Sequence, residues 1–90
     1  MSALENLFRQ HLLNPFLVLE LGPGVGGAQA ERQGEKLLAM LAAGLEEAGR
    51  YSTPFGAHER TPELVRAALA ELRDPRRRLR HEWWARGWGP

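Results

Sequence analysis

Apolar and polar positions alternate along the chain with helical period, in blocks separated by turn residues. Leu4, Leu7, Phe8, Leu12 and Leu13 are spaced mainly by threes, fours and ones, which predicts a short amphipathic helix or arm over residues 1–13. The run "NPFLVLEL" is short enough to be a buried strand or a buried helical turn by pattern alone. Asn14 followed by Pro15 favours the helix. Asparagine caps a helix N-terminus well, and proline at the first helical position loses no hydrogen bond. The first core helix is therefore expected over Pro15 to about Leu21.

"GPGVGG" (residues 22–27) breaks the pattern with four glycines and a proline. Ala30, Leu37, Leu38, Leu41 and Leu45 then recur at helical spacing, with Glu31, Arg32, Glu35 and Lys36 on the opposite face, and this predicts a second helix from about Ala28 to Glu47. Gly34 inside it costs about 1 kcal/mol relative to alanine, so it marks either a close-packing contact or a weak point. "AGRYSTPFGAHER" (residues 48–60) reads as a long loop, the kind of segment that often carries function. Thr61 and Pro62 repeat the cap-then-proline start, and Val65, Ala68, Leu69 and Leu72 form a third apolar stripe. Asp74 and Pro75 open a fourth helix, with Leu79 and Trp83 four apart on one face, and "RGWGP" ends it. No period-2 strand and no internal repeat stands out.

These elements predict an all-α domain, with the second and third helices paired as an antiparallel hairpin and the short first and fourth helices bracing its open end. The expected core is Phe16, Val18, Leu19, Leu37, Leu38, Leu41, Val65, Leu69, Leu72, Leu79 and Trp83. Ninety residues bury only about 60 to 65% of the unfolded surface, so each large apolar side chain matters.

Composition narrows the chemistry. Without cysteine there is neither a disulfide framework nor a thiolate metal site, and no signal-peptide pattern is apparent, so a cytoplasmic location is the default expectation. No apolar run approaches the roughly 20 residues of a membrane-spanning helix. Net charge is only +1, yet six arginines lie between Arg73 and Arg86, opposed in that window by Asp74 and Glu82 alone. Arg73, Arg76, Arg77, Arg78 and Arg80 are therefore candidates for phosphate contact, the basis of an alternative reading as a nucleic-acid-binding helical domain. The competing reading is a solvated arginine face over packed tryptophans.

Gly22, Gly24 and Gly27 match G-x-G-x-x-G, but a dinucleotide fold also needs a strand-helix-strand unit that the pattern does not supply. His11, His58 and His81 lack metal-ligand spacing, and no nucleophile stands beside a histidine and an acid. No enzymatic activity, cofactor or metal is expected.

The order of capped short helix, Gly/Pro turn, longer helix, loop, helix and Asp-Pro corner resembles the J domain of DnaJ-type co-chaperones over residues 14–84. "NPFLVLEL" is similar to the family's opening (D/N)-P-Y-x-V-L-G-V, and counting on without a gap sets Pro23 on its loop proline and Leu37 on its second-helix leucine. "ALAELRDPRRR" resembles A-Y-x-V-L-S-D-P-x-x-R, with Ala68, Leu72, Asp74, Pro75 and Arg78 at matching places. The family's His-Pro-Asp, which engages the DnaK-type chaperone and stimulates its ATPase, is missing. The ungapped count sets Ala42, Ala43 and Gly44 there. Glu20 replaces a glycine, and Gly34 replaces an aromatic, leaving a gap that the N-terminal arm (Phe8, Leu12) or a tryptophan would fill. The resemblance implies a degenerate J-like fold without J-protein activity, with 1–13 as an arm and 85–90 as a tail. The expected role is a non-enzymatic protein-interaction module, an adaptor or small subunit of a larger assembly, with a homo-oligomer as another arrangement. Phe8, Leu12, Tyr51, Phe55, Trp84 and Trp88 are the candidates for its contact surface.

Overall fold

The computed structural model of the protein describes residues 13–53 and 56–87, with side chains as far as Trp83. Its elements are α1 (Pro15–Val18), α2 (Gly27–Ala42), a 3-10 turn (Glu46–Gly49), β1 (Arg50–Thr53), β2 (Gly56–Glu59), α3 (Pro62–Arg73) and α4 (Pro75–Gly87). The chain is predominantly helical, and the stretch expected to be a loop holds an antiparallel two-stranded hairpin in which Tyr51 pairs with His58.

The caps read from the sequence are present. Asn14 Oδ1 accepts from the Phe16 N–H at 2.9 Å, Thr61 Oγ1 from Leu64 N–H at 3.2 Å and Asp74 Oδ1 from Arg76 N–H at 2.9 Å. Each satisfies an orphan donor of a first turn.

Two helices stop earlier than their patterns predict, for the same reason. After α1, Glu20 takes the left-handed conformation (φ 57°), Glu20 N–H bonds Leu17 O and Leu21 N–H bonds Phe16 O at 2.8 Å. After α2, Gly44 does likewise (φ 75°), with Gly44 N–H on Leu41 O and Leu45 N–H on Met40 O. Both are Schellman closures, in which a left-handed residue lets two terminal carbonyls find donors. Leu45 continued the apolar spacing in sequence, but it lies past the closure and is exposed.

Glu31 meets Arg73, and the space beside Gly34 is filled by Leu69, so α2 and α3 run antiparallel. A Cβ added at Gly34 would sit 2.5 Å from Leu69 Cδ1, closer than van der Waals contact permits. The expected gap at this position does not exist. Missing side-chain volume at Gly34 lets the helices approach until Leu69 occupies it.

The core comprises Phe16, Val18, Leu19, Ala30, Leu37, Ala48, Tyr51, Val65, Ala68, Leu69 and Leu72, with Leu38 and Leu41 partly buried against it. Leu79 and Trp83 do not belong to it. They are 68% and 67% exposed, because α4 turns its polar residues inward. Arg78 places its guanidinium 5.7 Å from the centre of the Phe16 ring, bonds the Val25 carbonyl and pairs with Glu82 at 3.0 Å. Asn14 Nδ2 donates to the His81 carbonyl at 3.2 Å. Helical geometry then carries Leu79 and Trp83 round to the solvent side.

Arg60 is the other unexpected interior residue, 2% exposed. Its Nε donates to Val18 O at 2.8 Å, Nη1 to Ala48 O at 2.9 Å and Nη2 to Glu20 Oε2 at 2.7 Å, while its guanidinium lies 5.6 Å from the Tyr51 ring centre. One side chain thus joins the end of α1, the 3-10 turn and β1. Gln33 Nε2 adds a 3.0 Å bond to the Leu19 carbonyl, so side chains supply donors to the Val18 and Leu19 carbonyls that the Schellman closure leaves over.

Candidate functional site

The surface formed by α4 follows from its phase. Arg76, Leu79, Arg80 and Trp83 fall at i, i+3, i+4 and i+7 and share one outward stripe, while Arg78, His81 and Glu82 face the fold. The Asp74 cap and the polar clamp on Asn14, Val25 and Phe16 set that phase. The stripe leaves a leucine and a tryptophan exposed one turn apart.

The five candidate arginines separate into two groups. Arg73 grips Glu31 with Nε and Nη2 at 2.8 and 2.7 Å, and these hydrogen bonds hold the Glu31 carboxyl below its usual value. Arg77 lies 3.8 Å from both Glu71 and Asp74, and Arg78 is built into the fold. Arg76 and Arg80 are exposed and make no ion pair among the described residues. Two unpaired cations on a duplex correspond to a log-log salt slope of only about −1.8.

Of the residues expected to form a contact surface, Tyr51 is 4% exposed and belongs to the core. Its ring packs 5.9 Å from His58, centre to centre, and burial raises its hydroxyl pKa above the usual value while nearby Arg60 opposes that shift. Trp84 lies in α4 with its side chain outside the described residues, and Phe8, Leu12, Phe55 and Trp88 lie outside them altogether. Leu79 and Trp83 are legible as a pair in the sequence, but the structure sets them on the solvent side of their helix and not in the expected core. The missed signal is the even spread of arginine around residues 76–80, which leaves no wholly apolar face to bury.

Other candidate chemistry dissolves on inspection. Gly22, Gly24 and Gly27 follow a helix, α1, instead of the strand a dinucleotide loop requires. Among the described residues no group of His, Asp and Glu side chains could hold a metal ion, and no helix is long and apolar enough to cross a membrane. A groove of about 830 Å³ along the 3-10 turn and hairpin is lined by Glu46, Glu47, Gly49, Arg50, Ala57, His58 and Glu59, a surface about equally polar and apolar that carries opposed charges.

His81 makes the seat of α4 sensitive to acid. Its Nδ1 is buried without a hydrogen bond among the described residues, and Nε2 is 3.6 Å from Glu71 on α3. Burial pulls its pKa below 6.5, outweighing the opposing pull of Glu71, and Arg80 lowers it further. The unfolded chain therefore binds the proton more readily than the folded one. Stability is full above about pH 6.5 and declines as pH falls toward the folded-state value. Urea midpoints at about pH 7.5 and 5.5 are expected to differ more for the wild type than for His81→Gln, and equal differences would exclude this role.

The chain matches no family model, no curated protein and no solved structure.

Proposed function

We propose that the protein is a degenerate J-like domain serving as a non-enzymatic protein-interaction module, an adaptor or small subunit of a larger assembly. The observation that carries the module reading is the outward Leu79–Trp83 pair on a helix whose inner face is polar. Burying these side chains in a partner would contribute about 1.5–3 kcal/mol each.

The J-like part draws on the order of elements, the Asn14–Pro15 start, the antiparallel α2 and α3, and the Asp74–Pro75 corner. The left-handed conformation of Glu20 also suits a position that is glycine in the family. At the place of the family's His-Pro-Asp stand the last residue of α2, its cap and the left-handed closure, Ala42, Ala43 and Gly44. Their side chains offer no charge and no hydrogen bond to a chaperone.

Two measurements test this. Tagged protein recovered from its own host is expected to retain a protein partner or to self-associate. A monomer that retains nothing sinks the module reading. Steady-state ATPase of a DnaK-type chaperone is expected to be unchanged by saturating protein, and a several-fold stimulation would restore the co-chaperone activity this reading denies.

A further inference from the structure

The stripe that suggests a contact also states what charge its partner should carry. Arg76 and Arg80 stand four residues apart on either side of Leu79, with Trp83 one turn beyond Leu79. Like charges at this spacing repel by about 0.2–0.5 kcal/mol in an isolated helix. Among the described side chains of the segment, the other cations already have carboxylates: Arg73 has Glu31, Arg77 has Glu71 and Asp74, and Arg78 has Glu82. Glu82 is occupied on the inner side by Arg78, so the outer stripe is apolar and positive with no acidic residue of its own.

Resting on the reading of the protein as an interaction module, we infer that the outer face of α4 docks an acidic amphipathic segment of a partner protein. Such a segment sets apolar side chains over Leu79 and Trp83 and carboxylates against Arg76 and Arg80. A helix presenting i, i+4 anchors flanked by glutamates has this chemistry. Carboxylates placed there relieve the Arg76–Arg80 repulsion and gain charge-assisted hydrogen bonds.

Charge argues against two other occupants. A second copy docked through the same stripe brings four guanidinium groups into one contact with no carboxylate to separate them. A nucleic acid would use Arg76 and Arg80 but would leave Leu79 facing phosphates and sugars, and Arg73, Arg77 and Arg78 would first have to break their ion pairs.

The test is selection from a displayed library of short random helical peptides on the full chain, followed by fluorescence anisotropy of the best peptide. Wild-type protein is expected to enrich peptides with an apolar pair flanked by Glu or Asp. The R76E/R80E and L79S/W83S variants, checked by circular dichroism for an unchanged fold, should each weaken binding about tenfold or more. Enrichment of neutral or basic peptides, or binding by either variant within about twofold of wild type, overturns the inference. So does duplex DNA binding lost in R76E/R80E and kept in L79S/W83S, or a dimer in light scattering that L79S/W83S dissociates. A host partner retained equally by wild type and both variants would remove this site while leaving the module reading intact. Failure of wild type to hold any partner or peptide would remove both.

Discussion

Replacing Arg60 with methionine is expected to destabilise the protein by about 3 kcal/mol or more. Methionine reproduces the length and apolar stem of the side chain but none of its donors. The Val18 and Ala48 carbonyls would then be left without their Arg60 bonds at 2.8 and 2.9 Å, each at about 1–3 kcal/mol. Glu20 loses the 2.7 Å partner of its carboxylate while its backbone remains in the left-handed region, at φ 57°. Because Glu20's side chain is 58% exposed, water recovers part of that ion pair, and the carbonyls account for most of the loss. A domain of this size has a total stability of roughly 5–13 kcal/mol, so the effect is a large share of it. The check is urea unfolding followed by circular dichroism, where a slope of about 1–1.5 kcal/mol/M predicts a midpoint lower by about 2–3 M. A shift below about 0.5 M would mean that Arg60 is not the joint described here.

The second large effect is expected at Gly34. Helix propensity alone says that alanine should gain about 1 kcal/mol there. Overpacking says the opposite, by about 1–3 kcal/mol, because the new Cβ would fall 2.5 to 2.9 Å from three atoms of Leu69. Clash wins, and Gly34→Ala is expected to be destabilising. Gly34→Phe, which places the aromatic that the J-like reading expects at this position, should cost about 4 kcal/mol or more, since a benzyl group would compete for space already filled by Leu69. Leu69→Ala alone should cost about 2–5 kcal/mol by opening a cavity. Combined with Gly34→Phe it should restore part of the loss, because the ring then occupies the vacated volume. A double-mutant cycle showing coupling of about 2 kcal/mol in that sense supports the contact, and simple additivity would refute it.

The residues concerned explain what was legible in the sequence. Asn14–Pro15, Thr61–Pro62 and Asp74–Pro75 announced three helix starts, because a cap and a proline are local signals whose physics needs no tertiary context. The antiparallel α2 and α3 followed from apolar period. The hairpin was not legible. Its strands are four residues each, Tyr51 is their only buried residue, and β2 consists of Gly56, Ala57, His58 and Glu59, which offer no alternation of apolar and polar side chains. Arg60 was hidden for a different reason. Arginine is almost always exposed, and burial here depends on acceptors 12 to 42 residues away in sequence. The α4 stripe was visible as Leu79 and Trp83, but its direction was decided by Arg78 finding the Val25 carbonyl and Phe16 ring and by Asn14 reaching the His81 carbonyl, a comparison that no window of α4's own sequence contains.

The inside-out arrangement of α4 also bears on how such a domain could change over generations. Arg78 and His81 hold the helix in place, while Leu79 and Trp83 contribute little buried surface to the fold. On the proposed docking role, substitutions on the outer stripe would retarget the domain with little penalty in foldability, and substitutions in the polar clamp would alter robustness without altering specificity. Two traits that usually constrain each other in a chain of ninety residues are here separated by half a turn of one helix.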